Sequence, residues 1–261
     1  MNNSFNYYLL IINNNNNNKN IFLIFYYIIK IMKSNKYLIF IRHGERKDRV
    51  GEKVLLDPCD PELTEKGKKY CYEMGLELKK ELEKLNIDFK RIKLLSSPFI
   101  RALQTSKQIL NGLSLPQTIY VDNNLCEYFF EKGFKDKNPF EFLSIISNEK
   151  KEIPLFKNEM KDCKLILLNS YDLLPKKVEI REDVVKRLGN YIPELKKNLY
   201  EDKENDVYIL VTHACPIHII ICDFFNYPKK YENDSKIAFA QYFIFNINKN
   251  DKNEFIVNAI I

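Results

Sequence analysis

The motif Arg42-His43-Gly44-Glu45-Arg46 places a histidine between two arginines. Guanidinium groups stay protonated at any working pH and hold phosphate oxygens through paired hydrogen bonds. An imidazole beside them can attack phosphorus and carry the phosphoryl group as a covalent intermediate. These residue types therefore predict phosphoryl transfer. The other interpretation is a surface turn whose charges are solvated and whose histidine is incidental.

A further arginine and an acid could complete such a site. Arg101 follows Ser97-Pro98, and with Pro98 in the first turn of a helix Arg101 lies there too, where free backbone N–H groups favour an anion. A solvated surface arginine is the alternative. Glu127 lies among aromatic residues, and burial near the strand ends would raise its pKa, as a proton donor requires. Its alternative is a solvated residue at the rim.

Apolar strands are predicted to bring these residues together. Residues 37–41 are five consecutive apolar residues and predict a buried strand that leads into the first motif. Residues 207–212 form a similar run that leads directly into His213. Two shorter strands are predicted at 92–95 and 118–121. Open α/β sheets keep their chemistry at the carboxyl ends of such strands.

Helices with one apolar face are predicted to cover this sheet. Thr64 is a candidate N-cap for a helix that runs to Leu85. A second amphipathic helix follows Arg181, and a third runs from 214 to 225. Two closing strands are predicted at 239–247 and 254–260. This succession of strands and helices indicates an α/β fold.

Two segments depart from the pattern. Residues 1–35 include an asparagine homopolymer, and three interpretations stay open: a disordered extension, a weak membrane or signal anchor through 21–32, or an extension upstream of a true start at Met32. Residues 36–261 are predicted to form one domain. Within it, the segment at about 128–175 has mixed charges and three prolines, and we expect an inserted helical lid there.

Charge and cysteine content argue against several classes of protein. The net charge is +6, but four lysines within residues 1–36 leave only +2 for the remainder, which argues against a nucleic-acid partner. An apolar run of nine residues at 21–29 is short for a bilayer and argues against a membrane partner. The six cysteines show neither CxxC pairs nor zinc-like spacing. Thiols in a reducing compartment are expected, which predicts a cytoplasmic location.

Several motifs in order carry a family resemblance: Arg42-His43-Gly44, Leu63-Thr64-Glu65-Lys66-Gly67, Ser97-Pro98 with Arg101-Ala102 and Gln104-Thr105, and Val211-Thr212-His213. With them, residues 36–260 resemble the histidine phosphatase superfamily, also called the phosphoglycerate mutase-like fold. The resemblance implies a three-layer α/β/α fold with a mostly parallel central sheet.

Within that superfamily, the pattern Arg-His-Gly-Glu-Arg-x-Asp at 42–48 looks most like the phosphatase domain of the suppressor of T-cell receptor signalling proteins. The likeness implies that Arg46 binds phosphate and that Glu127 is the catalytic acid. Cofactor-dependent mutases usually carry Ser or Thr and then Asn after the glycine, which are absent here. Acid phosphatases and phytases typically follow the second histidine with Asp, where this chain has Ala214.

The resemblance also implies a mechanism, hydrolysis of a phosphate monoester in two displacements. His43 attacks phosphorus and Glu127 protonates the leaving oxygen. The groups expected to hold the phosphoryl oxygens are Arg42, Arg46, Arg101 and His213. No metal or cofactor is expected, because the arginines supply the positive charge. Expected partners are a phosphorylated small molecule or a phosphotyrosine peptide, and a homodimer is also considered. A phosphoglycerate mutase-type phosphotransferase and a catalytically silent phosphate-binding module are the alternatives.

Overall fold

The computed structural model describes residues 35–129, 143, 145–146, 154–227, 237–250 and 252–260. The predicted extension lies outside the described residues except for Asn35, and so does the candidate anchor at 21–32. Much of the predicted lid between 130 and 153 also lies outside them. Among the residues described, no helix is both long enough and apolar enough to cross a membrane.

Seven strands in the described part of the chain form one sheet with the order β4-β3-β2-β5-β1-β6-β7. The strands are β1 (Lys36–Arg42), β2 (Ile92–Ser96), β3 (Thr118–Val121), β4 (Lys164–Leu167), β5 (Val207–Thr212), β6 (Tyr242–Lys249) and β7 (Phe255–Ala259). The first five are parallel, and β6 and β7 complete the sheet in antiparallel pairings. The predicted mostly parallel sheet is confirmed.

Residues 37–41 of the central strand β1 are all apolar, and both faces of this strand are covered. Ile39 and Ile41 belong to the apolar cluster on one face, and Leu38 and Phe40 belong to the cluster on the other. Side chains alternate between the two faces of a strand, so a strand buried on both sides reads as a continuous apolar run.

Helices cover both faces of the sheet and make three layers. One face packs against α1 (Glu65–Lys84) and α2 (Ile100–Leu113), and the other packs against α4 (Arg181–Glu201) and α5 (Ala214–Ile219). The short helix α3 (Pro154–Met160) precedes β4. As predicted, Thr64 caps α1, because its Oγ1 accepts a hydrogen bond from the Gly67 N–H at 2.8 Å.

Three local predictions need correction. Helix α2 begins at Ile100, so Pro98 precedes the helix instead of lying in its first turn. Strand β4 lies within the segment predicted as a helical lid and pairs in parallel with β3 at the sheet edge. Strand β6 begins at Tyr242 and not at 239, because Ala240 adopts φ 55°, a left-handed conformation that interrupts an extended strand.

Backbone hydrogen bonds continue past the strand ends and align the segments that follow. His43 N–H donates to Thr212 O at 3.0 Å, and Ser97 N–H donates to Val211 O at 2.9 Å. Asp122 N–H donates to Ser96 O at 2.9 Å. The carboxyl ends of β1, β5, β2 and β3 therefore lie side by side, and the predicted site residues follow them.

Candidate active site

Four of the residues singled out in the sequence meet at this edge of the sheet. The His43 and His213 rings lie edge to face with centroids 5.2 Å apart. Glu127 Oε2 is 3.5 Å from His213 Nδ1 and 4.0 Å from Arg101 Nη2. Both histidines and Arg101 are buried. The structure thus brings together a candidate nucleophile, a candidate acid and two nitrogen donors.

The hydrogen bond made by His43 decides which of its nitrogens can react. Nδ1 lies 2.8 Å from Gly44 O. A carbonyl oxygen only accepts, so Nδ1 carries the proton and Nε2 keeps its lone pair. Burial holds the pKa of His43 well below its usual range, and the charges of Arg101 and Arg42 lower it further. The ring is therefore neutral at physiological pH, with Nε2 available for attack.

The turn after His43 fits closely against the start of α1. A side chain at Gly67 would place its Cβ 2.6 Å from Glu45 O, a contact that only glycine avoids. Thr64 Oγ1 donates to Glu45 Oε1 at 3.1 Å while it caps the helix. Gly44 N–H donates to Thr105 Oγ1 at 3.0 Å, which ties the turn to α2 as well. These contacts fix the backbone that orients His43.

His213 is held through its other nitrogen. Its Nε2 lies 2.8 Å from Ser97 Oγ, which also accepts the Phe99 N–H at 3.5 Å. Nδ1 faces the Glu127 carboxylate, and a carboxylate there favours the tautomer that carries the proton on Nδ1, in which the Ser97 hydroxyl donates to Nε2. That Nδ1 has no hydrogen-bond partner among the described residues. Burial, followed by the charge of Arg101, holds the pKa of His213 well below its usual range.

Arg101 is a buried cation with unused donors. Its side chain is 1% exposed, and its guanidinium lies over the Phe99 ring at 4.2 Å. Nη1 is 3.6 Å from Asp60 Oδ1, and neither Nε nor Nη1 makes a hydrogen bond within the described part of the chain. Burial and then the charge of Arg46 lower the pKa of Arg101 to about 10, so it stays protonated at neutral pH. A buried cation with open donors favours an anion.

Arg42 and Arg46 flank His43 and contact protein groups. Arg46 Nε donates to Asp48 Oδ1 at 2.8 Å, and its Nη2 pairs with the other carboxylate oxygen. Arg42 donates to Ile237 O and lies over the Phe239 ring at 4.2 Å. Both arginines lower the pKa of His43, which indicates that their charges reach the centre of the site.

Glu127 has the environment of a proton donor. Its side chain is 15% exposed, and Oε1 accepts the Tyr128 N–H at 3.0 Å. Burial raises the pKa of Glu127 above its usual value, although the charge of Arg101 opposes this shift. A carboxyl group with a raised pKa keeps its proton closer to neutral pH and can deliver it to a leaving oxygen.

The ligand atoms of His43, Glu127 and His213 lie within 4.8 Å of one another, as a divalent cation would require. The positive charge around these atoms, however, favours an anion over a cation. Arg101 is buried at 4.0 Å from Glu127, and the charges of Arg42 and Arg46 act on both histidines. Positive charge from three guanidinium groups disfavours a cation and favours a phosphate-like anion.

Several residues near the site were not predicted. Ser97 lay within a recognised motif but without a role, and nothing in the local sequence distinguished Asp60 or Phe239. Asp60 Oδ1 accepts the Ile100 N–H at 2.9 Å and faces Arg101. Phe239 lies 5.7 Å from the His43 ring. These contacts join residues far apart in the chain, so no local pattern reports them.

One family model matches most of the chain. The model of the family described as the histidine phosphatase superfamily (branch 1) matches residues 38–258. No curated protein sequence matched the chain.

Solved structures share the fold at low sequence identity. An ecdysone phosphate phosphatase from Bombix mori, in complex with tungstate, is 13% identical with a TM-score of 0.59, covering 87% of this chain and 92% of its own. A mycobacterial glucosyl-3-phosphoglycerate phosphatase bound to VO3 is 19% identical with a TM-score of 0.52, covering 87% and 98%. A protein described as mycobacterial hydrolase 1 is 18% identical with a TM-score of 0.52, covering 87% and 97%. These likenesses establish a shared fold.

Proposed function

The chain belongs to the histidine phosphatase superfamily, and from this premise we propose that it hydrolyses phosphate monoesters through a phosphohistidine on His43. The observation that carries the proposal is the hydrogen bond from His43 Nδ1 to Gly44 O, which is 2.8 Å long. It leaves the lone pair of Nε2 free to attack, in a site whose positive charge comes from three arginines. An imidazole presented in this way is an activated nucleophile.

In the first displacement, His43 Nε2 forms a bond to phosphorus and the bond from phosphorus to the ester oxygen breaks. Protonated Glu127 gives its proton to the leaving oxygen, so an alcohol departs and a carboxylate stays behind. The raised pKa of Glu127, caused chiefly by burial, supports this role. Attack converts His43 into a cationic phosphoimidazole, which Gly44 O stabilises by accepting the hydrogen bond from Nδ1.

In the second displacement, the Glu127 carboxylate takes a proton from water while the water oxygen attacks phosphorus. The bond between phosphorus and Nε2 then breaks, which returns the lone pair to His43 and releases inorganic phosphate. Glu127 ends protonated and ready for the next turnover. One residue thus acts as acid and then as base, as reversal of the first step requires.

Charge on the transferring phosphoryl group needs stabilisation through both steps. Arg101 supplies buried donors, and the Nδ1 proton of His213 points at the same space beside Glu127. Arg42 and Arg46 add positive charge beside His43. Because guanidinium groups supply the positive charge that metal ions provide in other phosphoryl-transfer enzymes, we propose that the reaction needs no metal.

The motif at 42–48 supports a closer relation to the phosphatase domain of the suppressor of T-cell receptor signalling proteins. A phosphorylated small molecule or a phosphotyrosine peptide is the substrate class that we propose on that basis. The relative from Bombix mori is named for ecdysone phosphate, a phosphorylated small molecule. We propose a cytoplasmic setting, in keeping with a chain whose cysteines are predicted to be thiols.

Turnover of para-nitrophenyl phosphate by the full chain tests this proposal. The wild-type protein is expected to release nitrophenol, and His43→Ala is expected to lose that activity while it keeps its circular dichroism spectrum. His218→Ala is the matched control, because His218 lies on α5 outside the cluster. Equal activity in wild type and His43→Ala would overturn the proposal. Isomerised product from a bisphosphate donor would favour a mutase instead.

A further inference from the structure

Arg187 and Glu179 form a buried ion pair next to the loop that carries Glu127. The two displacements do not use this pair. Arg187, on α4, donates from Nε to Glu179 Oε1 at 3.0 Å and from Nη2 to Glu179 Oε2 at 3.2 Å. The two side chains are 12% and 6% exposed. Neither residue lies in a motif that the sequence singled out.

This pair holds the loop on both sides of Glu127. Arg187 Nη1 donates to Asn124 O at 2.9 Å, three residues before the acid. Two residues after the acid, Phe129 N–H donates to Glu179 Oε2 at 3.2 Å, and Glu179 N–H donates to Phe129 O at 2.7 Å. One fork of charge-assisted hydrogen bonds therefore fixes both ends of the segment 124–129.

Stability alone gives a weak account of this arrangement. Removing two charges from water costs free energy, and apolar side chains of similar volume often stabilise a protein at least as well. A guanidinium fork offers something that apolar side chains lack, since it fixes two carboxylate oxygens and a backbone carbonyl in one plane. Such geometric precision matters where a carboxyl group must lie within hydrogen-bond reach of a leaving oxygen.

We propose that Arg187 and Glu179 are positioning residues that hold the Glu127 carboxyl group in line with the leaving oxygen. This inference rests on the proposed phosphatase activity with Glu127 as the acid. A phosphate ester whose alcohol is a poor leaving group depends strongly on that proton, and an ester of an acidic phenol depends on it weakly. Loss of the positioning residues therefore penalises the first kind of substrate much more than the second.

Full-length Arg187→Met and Arg187→Lys are compared with wild type on para-nitrophenyl phosphate and on an alkyl phosphate. Lysine keeps the charge but cannot form the fork, and Lys186→Met is the matched control because Lys186 is an exposed neighbour on the same helix. Inhibition by inorganic phosphate reports the oxyanion pocket separately, and circular dichroism reports folding.

For Arg187→Met we expect kcat/KM to fall about 100-fold on the alkyl phosphate and about 3-fold on para-nitrophenyl phosphate, with phosphate inhibition unchanged. Arg187→Lys should give the same selectivity with a smaller loss, and it decides the question if the methionine variant does not fold. Equal losses on both substrates, or no loss on either, would overturn the positioning role while leaving the phosphatase in place. An inactive wild-type protein would overturn both.

Discussion

His43 and His213 follow the carboxyl ends of β1 and β5, two adjacent parallel strands, yet their neighbours prepare them for different tasks. Both rings are buried, and burial is the main cause of the lowered pKa of each. Gly44 O occupies Nδ1 of His43, whereas Ser97 Oγ occupies Nε2 of His213. The first ring presents a lone pair to the site and the second presents a proton.

We infer from this difference that the partner of one ring nitrogen decides what the other nitrogen can do. The flanking sequence is similar, because a buried strand leads into each histidine. A backbone carbonyl one residue away fixes His43, while a hydroxyl 116 residues away in sequence fixes His213. The proposed nucleophile is thus held by a local contact and the proposed donor by a long-range contact.

Removing each ring in turn should separate the two roles most strongly. We expect His43→Ala to lower kcat by about 10⁴-fold or more, because it removes the lone pair that is proposed to attack phosphorus. His213→Ala should lower it by about 10²- to 10³-fold, as expected for one donor to a charged transition state. Steady-state kinetics on para-nitrophenyl phosphate give both values. A larger loss for His213→Ala would reverse the assignment.

Glu127 lies beside His213 and does not touch the hydrogen bond between His43 and Gly44 O. Its substitution therefore tests the proposed acid separately from the proposed nucleophile. We expect Glu127→Gln to lower kcat/KM on an alkyl phosphate by about 10²- to 10⁴-fold, because the amide cannot give up a proton to the leaving oxygen. Para-nitrophenyl phosphate should suffer much less.

The pH profile sharpens the same assignment. In wild type, kcat/KM should fall as pH rises through the raised pKa of Glu127, because the acid form is lost, and should fall as pH drops below the lowered pKa of His43. Glu127→Gln should lose only the alkaline limb. A variant that keeps this limb would assign the acid to another group.

Ser97 contacts Nε2 of His213, so its substitution tests how His213 is held. We expect Ser97→Ala to lower kcat about 5- to 10-fold, roughly the value of one hydrogen bond, because the proton of His213 is then no longer confined to Nδ1. Ser97→Thr retains the hydroxyl and should restore most of the activity. Equal losses in the two variants would mean that packing, and not the hydroxyl, matters at this position.

Acid should destabilise the protein through both histidines, although this effect is the smallest. Each has a folded-state pKa below the unfolded value of 6.5, so the folded state binds fewer protons and stability is lost as pH falls below 6.5. The loss is about 1.4 kcal/mol per pH unit for each ring. In urea unfolding, the free energy of unfolding of His43→Asn should change less steeply with pH than that of wild type, by about that amount. Identical slopes in the two proteins would contradict buried, neutral rings.

Much of the fold was predictable because its central strands are buried on both faces. The apolar runs at 37–41 and 207–212 and the cap at Thr64 report local rules, and the structure agrees with them. Strand β4 was missed because it is a four-residue edge strand whose side chains are exposed or only partly buried. Its apolar run at 165–168 is too short to distinguish a strand from a helix, and its pairing with β3 depends on residues distant in the sequence.

The residues of the candidate site also differ in whether a local sequence pattern could predict them. Arg42, His43, Arg101 and His213 could be singled out as candidates because each ends a strand, follows a strand or opens a helix within a motif. Asp60, Phe239 and the pair of Arg187 and Glu179 depend on contacts between distant segments. Which nitrogen of each ring is occupied also required the three-dimensional structure, although His43 uses its immediate neighbour.

Trapping the covalent intermediate tests the central claim most directly. The full chain is mixed rapidly with para-nitrophenyl phosphate, quenched in alkali, and examined by phosphopeptide mapping and phosphorus NMR. We predict phosphate on Nε2 of His43 in wild type and in His213→Ala, and none in His43→Ala. Phosphate on His213, on Nδ1 of His43, or on no residue during active turnover would contradict the account.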